Sequence, residues 1–201
     1  MTAQPIAFYF DFSSPYGYLA AERIDALAER HGRAVAWRPF LLGAVFKTTR
    51  TEPLLGIPLK GDYARRDIER SARGLGLPFR LPETFPFLSV AACRAFYWLL
   101  DEEPERAHAL ALALYRRAFA EGGDISRAQT VIEVAEALGV SRAALEAALQ
   151  DPAVKERLRS EVQAAIAAGV FGSPFMVVDG EPFWGHDRLA DVERWLESGG
   201  W

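Results

Sequence analysis

An aromatic run, Ile6-Ala-Phe-Tyr-Phe-Asp-Phe12, leads straight into a polar turn at Ser13-Ser14, and Pro15 opens a helical pattern at once. The run has the aromatic content of a buried strand. The helix is predicted over residues 15–31, with Tyr16, Leu19, Arg23/Ile24 and Leu27 spaced for one face. Pro15 suits a first helical turn and Gly32 suits a helix end. Residues 34–42 (Ala-Val-Ala-Trp-Arg-Pro-Phe-Leu-Leu) then read as a second strand. With a helix between them, the two strands must run parallel. The junction also has an electrostatic consequence. A strand that stops where a helix starts aims the helix's free N–H groups at one point, and the macrodipole favours negative charge there.

Residues 43–61 are punctuated by Gly and Pro around Lys47, Thr48, Thr49 and Arg50 and read as a loop, long enough to be functional. From 62 to about 168 the pattern is almost wholly helical, rich in Ala, Leu, Glu and Arg. Gly74-Leu-Gly76 reads as a helix stop before Pro78. Ser126-Arg-Ala-Gln129 has the form of a capping box opening a helix with Val131, Val134, Ala135 and Leu138 on one face. Gly139 ends that helix, and Ser141 caps the next, with Val140 and Leu145 placed for a hydrophobic staple. Residues 174–179 read as a strand, Asp179-Gly180 as a hairpin turn, Pro182-Phe-Trp184 as a short second strand and 187–197 as the last helix. The order is β-α-β, a helical block, then β-β-α. It predicts an α/β sheet domain over residues 1–61 and 170–201, interrupted by an all-helical insertion over 62–169.

Bulk properties narrow the function classes. The chain has 201 residues, half of them hydrophobic, enough for a sizeable core. A net charge of −4 without a Lys/Arg block gives no footprint for nucleic acid. No apolar run approaches a membrane span, and Met1-Thr-Ala-Gln-Pro5 lacks the pattern of a secretory signal. Cys93 is the only cysteine, so no internal disulfide can form. The expected location is a reducing cytoplasm, where glutathione is abundant.

Four constellations carry chemistry, and each has a plainer reading. Ser14-Pro15 is either an ordinary helix cap or a polar group aimed at a bound anion. Gly172-Ser173-Pro174 either opens an edge strand with a trans proline or holds a cis proline, which turns neighbouring backbone groups outward to pair with a peptide-like ligand. Trp184-Gly-His186-Asp187-Arg188 is either a turn or an amine receptor, with Asp187 accepting an ammonium and nearby N–H groups meeting a carboxylate. In Lys60-Gly-Asp-Tyr63-Ala-Arg-Arg-Asp67-Ile-Glu-Arg70, positions 63, 67 and 70 share one helix face, either solvated or functional. Elsewhere Cys93 reads as core, His31 as a helix C-terminal residue and His108 as surface. No side chains have metal-ligand spacing, and no glycine-rich phosphate loop is present.

Together, Asp11-Phe-Ser-Ser14-Pro15-Tyr, Leu42-Gly-Ala-Val-Phe-Lys47, Lys60-x-x-Tyr63-x-x-x-Asp67, Gly172-Ser-Pro174 and Trp184-Gly-His-Asp187-Arg-Leu occur in order from residue 6 to about 196. The set resembles 2-hydroxychromene-2-carboxylate isomerases and the kappa-class glutathione transferases. The resemblance implies a thioredoxin-like fold with a helical insertion, which matches the element order. In thioredoxin-like redox proteins the Ser14 position carries the first Cys of a Cys-x-x-Cys motif. A serine there, with no cysteine nearby, leaves a thiolate-stabilising frame without its own thiol. The resemblance implies that glutathione supplies that thiol as cofactor. Ser14 falls on the family's catalytic serine, which contacts the glutathione sulfur. Ser173, before the cis Pro174, pairs its backbone with the cysteinyl part. His186 and Asp187 fall where the γ-glutamyl end is held, and Lys60, Tyr63 and Asp67 on insertion residues that reach the cofactor. Two positions depart from the family: Thr51 stands where many relatives have Asn, and His186 where Ser or Asn is common.

The activity this implies is isomerisation of a small aromatic acid of the 2-hydroxychromene-2-carboxylate type by reversible thiolate addition. Lys47 or Arg50 is placed to hold the substrate carboxylate, and Tyr16, Phe46 and Trp184 to form aromatic walls. A kappa-like transferase or peroxidase uses the same cofactor site, and a non-catalytic glutathione-binding module is a third reading. Two-thiol exchange is excluded by the lone Cys93. The kappa-class likeness implies a homodimer.

Overall fold

The computed structural model describes residues 4–201; the Met1–Ala3 part of the N-terminal reading lies outside them. Four strands make one sheet: β1 (Ile6–Phe10), β2 (Val35–Pro39), β3 (Phe175–Val178) and β4 (Glu181–Trp184). Their spatial order is β2-β1-β3-β4. β1 is parallel to β2 and antiparallel to β3, and β3 is antiparallel to β4. The parallel pair follows from α1 (Pro15–Arg30) lying between the strands. The Asp179-Gly180 turn makes the antiparallel hairpin, with both residues at positive φ.

Alternation along β1 sets the core. Ile6, Phe8 and Phe10 are fully buried, while Ala7 and Tyr9 on the other face are half-buried. Phe8 and Phe10 both meet the Trp37 ring edge-on, at 5.0 and 5.2 Å between centroids. Phe10 also packs on Phe96 and Tyr115 from the helical block. Each such aromatic pair adds about 0.5–1.5 kcal/mol beyond area burial. Truncating Phe10 to alanine therefore costs about 3–5 kcal/mol. Buried side chains of sheet and helices form one continuous cluster.

The helices between β2 and β3 are α2 (Leu42–Thr49), α3 (Lys60–Gly74), α4 (Val90–Glu102), α5 (Pro104–Phe119), α6 (Ala128–Ala137), α7 (Arg142–Gln150) and α8 (Pro152–Ala167). The chain ends in α9 (Leu189–Ser198). A mixed four-stranded sheet with a helical insertion is the predicted fold class. Among the described residues, no helix is long and apolar enough to cross a membrane.

Four local expectations are corrected. Residues 43–61 are not a continuous loop, since they contain α2 and a 3-10 turn at Leu54–Gly56. The cap of α2 comes from far away: the Leu42 N–H donates to Asp11 Oδ2 at 2.7 Å. Residues 75–89 are not helical, because prolines interrupt them, and Phe79 and Phe87 instead pack on Phe119. Ser126 does not cap α6. Its N–H and hydroxyl both turn to Asp124 Oδ1, at 2.9 and 2.6 Å, and Gln129 bonds Glu133. A nearer charged acceptor outcompetes the capping box. His108 is half-buried rather than at the surface, against Trp37 and Phe96. Ser141 does cap α7, accepting from the Ala144 N–H at 3.4 Å.

Candidate active site

The β1–α1 junction and the Gly172–Pro174 turn come from opposite ends of the chain and meet in one hydrogen-bonded knot. Ser14 is the N-cap of α1 and only 5% exposed. Its Oγ accepts from the Gly17 N–H at 3.0 Å and donates to the Ser173 carbonyl at 2.8 Å. The first turn of α1 holds no acidic residue, so nothing in that turn offsets the positive helix end. The Ser173–Pro174 peptide bond is cis, as is Phe85–Pro86. Ser173 Oγ in turn accepts from the Asp11 N–H at 2.9 Å.

Asp11 is the hub beneath the knot. Its carboxylate accepts from the Ser13 N–H (2.8 Å), the Ser89 hydroxyl (2.6 Å) and the Leu42 N–H (2.7 Å). Its carbonyl accepts from the Ser14 N–H and the Tyr115 hydroxyl, at 2.8 and 2.9 Å. One buried side chain thus fixes the β1–α1 turn and the starts of α2 and α4. Burial raises its pKa, and the donors from Ser89, Ser13 and Leu42 oppose that rise. Gly17 is needed at this point. A Cβ there would lie 2.5 Å from the Tyr115 hydroxyl and 3.0 Å from Ser173 Oγ. The chain accepts about 0.5–1 kcal/mol of helix destabilisation to let these groups approach.

A second cluster adjoins the first through Tyr16. The Tyr16 hydroxyl donates to Asp67 Oδ2 at 2.7 Å, tying α1 to α3. Arg70 bonds the other Asp67 oxygen and reaches the Tyr63 hydroxyl at 3.3 Å. The His186 ring stacks on Tyr16 at 5.2 Å, and its Nδ1 is buried without a partner among the described residues. Burial lowers the pKa of His186, which favours the neutral ring. Tyr16, expected as a substrate wall, bonds Asp67 through its hydroxyl and stacks its ring on His186.

Other candidates lie around these clusters. Asp187 is exposed in a 3-10 turn before α9 and pairs with Arg188 at 3.1 Å. Trp184 is 57% exposed and meets Phe171 edge-on at 4.8 Å. Its indole lies over Gly172, where a Cβ would come within 2.2 Å of Nε1. Lys47, Arg50, Thr51 and Lys60 are exposed, and Phe46 is half-buried. None of these five is hydrogen-bonded to the Ser14 knot among the described residues; Thr51 bonds Thr49 at 2.7 Å. No group of side chains there could hold a metal ion. Cys93 is fully buried, 3.7 Å from Ser89 Oγ, and burial raises its thiol pKa. It has neither the access nor the ionisation of a nucleophile. Sequence reasoning placed Arg70 on one helix face with Tyr63 and Asp67, but assigned no role to Asp11, Gly17, Ser89, Tyr115 or Phe171. Only Asp11 left a signal, a charged residue closing an otherwise aromatic strand.

Residues 5–197 match the DsbA-like thioredoxin domain. The chain belongs to the DsbA-like thioredoxin family. Within it, a 2-hydroxychromene-2-carboxylate isomerase of Sphingobium xenophagum is 32% identical over 197 residues, covering 95% of this chain and 97% of that protein. Glutathione S-transferase kappa 1 of Homo sapiens is 27% identical, with 95% and 92% covered. A solved 2-hydroxychromene-2-carboxylate isomerase superposes with a TM-score of 0.87 at 30% identity, covering 96% of this chain and 95% of that one. The resemblance carried by the sequence motifs is therefore borne out. Its relatives are named as isomerases and glutathione transferases, so the chain is an enzyme.

Proposed function

We propose that this protein is a glutathione-dependent isomerase of the 2-hydroxychromene-2-carboxylate type. The observation that carries the reading is the Ser14 hydroxyl at the start of α1, bonded to the carbonyl before cis Pro174, with no accessible thiol of its own. The names of the relatives fit it. The donor set suits a peptide thiol: a hydroxyl and helix N–H groups for sulfur, and the Ser173–Pro174 backbone turn for an amide.

Bound glutathione would supply a thiolate that adds reversibly to a conjugated double bond of an aromatic acid, permitting rotation about that bond before the thiol is regenerated. The chain's own part is to hold charge and orientation. Ser14 has one hydroxyl proton, which lies on the Ser173 carbonyl. To stabilise a thiolate, that proton must turn to sulfur. An amide N–H of the cofactor is then the natural replacement donor for the Ser173 carbonyl, which would otherwise be left unpaired. The start of α1 favours the anion further. In this reading the sheet unit, residues 1–61 and 170–201, carries Ser14, Ser173, His186 and Asp187. The insertion, residues 62–169, brings Tyr63 and Asp67, with Lys60 at its edge. Asp187 receives the γ-glutamyl ammonium. Lys47 or Arg50 takes the substrate carboxylate, with Phe46 and Trp184 as walls. Thr51 replaces an Asn of many relatives as a hydrogen-bonding group.

A kappa-like transferase is the second reading, because those relatives share the fold and most of the chain length. Turnover of conjugated aromatic acids with glutathione recovered in full is the expected result. Loss of one thiol per turnover supports the transferase instead. Tight glutathione binding without turnover supports a binding module.

A further inference from the structure

Tyr115 sits at the centre of the Ser14 knot, although it comes from α5. Its ring is fully buried against Phe10 and Phe12, at 5.7 and 5.3 Å. Packing there requires only an aromatic ring, and a buried hydroxyl is costly unless it is bonded. The hydroxyl donates to the Asp11 carbonyl at 2.9 Å. Ser173 Oγ accepts from the Asp11 N–H, so the Asp11 backbone links the phenol to the Ser173–Pro174 turn. The Asp11 carbonyl also receives the Ser14 N–H, and the Ser173 carbonyl receives the Ser14 hydroxyl. Both ends of the Ser14 contact therefore run through the Asp11 backbone, which the phenol anchors. Gly17 supplies the clearance, since any Cβ there would strike the Tyr115 oxygen first.

We propose that Tyr115 is a positioning residue, whose hydroxyl holds the Asp11–Ser14 turn and the Ser173–Pro174 turn in register so that Ser14 Oγ faces the thiolate site. The catalytic consequence rests on the glutathione reading above; the positioning itself does not. The ionisable groups facing the phenol are Asp11 from the β1–α1 junction and Cys93 from α4. Burial keeps the phenol protonated and therefore a donor across the working pH range.

Tyr115→Phe removes the hydroxyl and keeps the ring. Hydrogen exchange of the full-length protein, without glutathione, should show the Ser14 and Gly17 amides exchanging about tenfold faster, relative to amides of α8 as an internal reference. With glutathione bound, the thiol pKa read by thiolate absorbance should rise by about 0.5–1 unit, while glutathione affinity falls less than about threefold. Ser173→Ala removes the acceptor of the Asp11 N–H, the other half of that link, and should give the same pattern, which covers the case where Tyr115→Phe folds poorly. If either variant lowers stability but leaves Ser14 and Gly17 exchange at the reference level, the positioning role is wrong. Faster exchange with an unchanged bound-thiol pKa also overturns it, as a merely structural bond would behave this way. If the wild type itself never lowers the glutathione thiol pKa, the glutathione reading fails, and the exchange measurement still decides the role of Tyr115.

Discussion

The two sides of the candidate site are built differently. On one side, Asp11, Ser14, Ser173 and Tyr115 are buried or nearly so and bonded to one another across the whole chain length. On the other, Lys47, Arg50, Thr51 and Lys60 stand exposed on α2, its exit and the start of α3. Arg50 and Leu59 sit at positive φ, which is uncommon for non-glycine residues. The contrast teaches a division of labour. The buried side is preorganised: in the proposed function Ser14 Oγ is already in place, and only its hydroxyl proton must turn when the thiolate arrives. In the proposed function the exposed side supplies the charges that choose the electrophile, and it can vary without disturbing the buried side.

The sharpest way to break this comparison is at Asp11. Asp11→Ala leaves the Ser13 and Leu42 N–H groups and the Ser89 hydroxyl without their acceptor. Each buried orphan costs about 1–3 kcal/mol, so a loss of about 3 kcal/mol or more is expected in chemical denaturation. Asp11→Asn tests the charge alone. Burial raises the Asp11 pKa in the folded state, so the native state holds its proton more tightly. The sign follows: the stability that this group contributes is fully present below its unfolded pKa of about 3.9 and is lost as pH rises through the folded pKa. The advantage of wild type over Asp11→Asn should therefore shrink as pH rises above about 4. An advantage that grows over that range would mean the donors from three elements outweigh burial.

Asp187 tests the exposed rim with a smaller effect. Asp187→Asn removes charge and keeps shape, and should weaken glutathione binding by a few-fold to a hundredfold, roughly 1–3 kcal/mol. A glutathione analogue lacking the γ-glutamyl amine should lose affinity for wild type and much less for the variant. Equal losses in both proteins would show that Asp187 does not read the amine. Because Asp187 lies outside the buried knot, the pKa of the bound thiol should be unchanged.

The same division explains what was legible in the sequence. The β1–α1 junction was readable because its signals are local: an aromatic run, Ser14 as cap and Pro15 at the first turn. The β3–β4 hairpin announced itself through Asp179-Gly180. α2 was missed because its cap, Asp11, is 31 residues away. Tyr115 was missed for the same reason at a separation of 104 residues, and nothing in the helical pattern of α5 marks it. Ser126-Arg-Ala-Gln129 misled in the opposite sense, since Asp124 two residues earlier captured the serine. The bond from Tyr16 to Asp67 could not be known until α3 was laid against α1.

The central claim is that Ser14 and the start of α1 stabilise a thiolate brought by glutathione. Titrating the thiolate absorbance of bound glutathione in wild type and in Ser14→Ala tests it most directly. A charge-assisted hydrogen bond is worth about 1.5–3 kcal/mol. The bound thiol in wild type should therefore ionise below the ordinary cysteine value of about 8.5, and in Ser14→Ala its pKa should rise by about 1–2 units, with glutathione affinity falling less. An identical bound-thiol pKa in the two proteins would contradict the account.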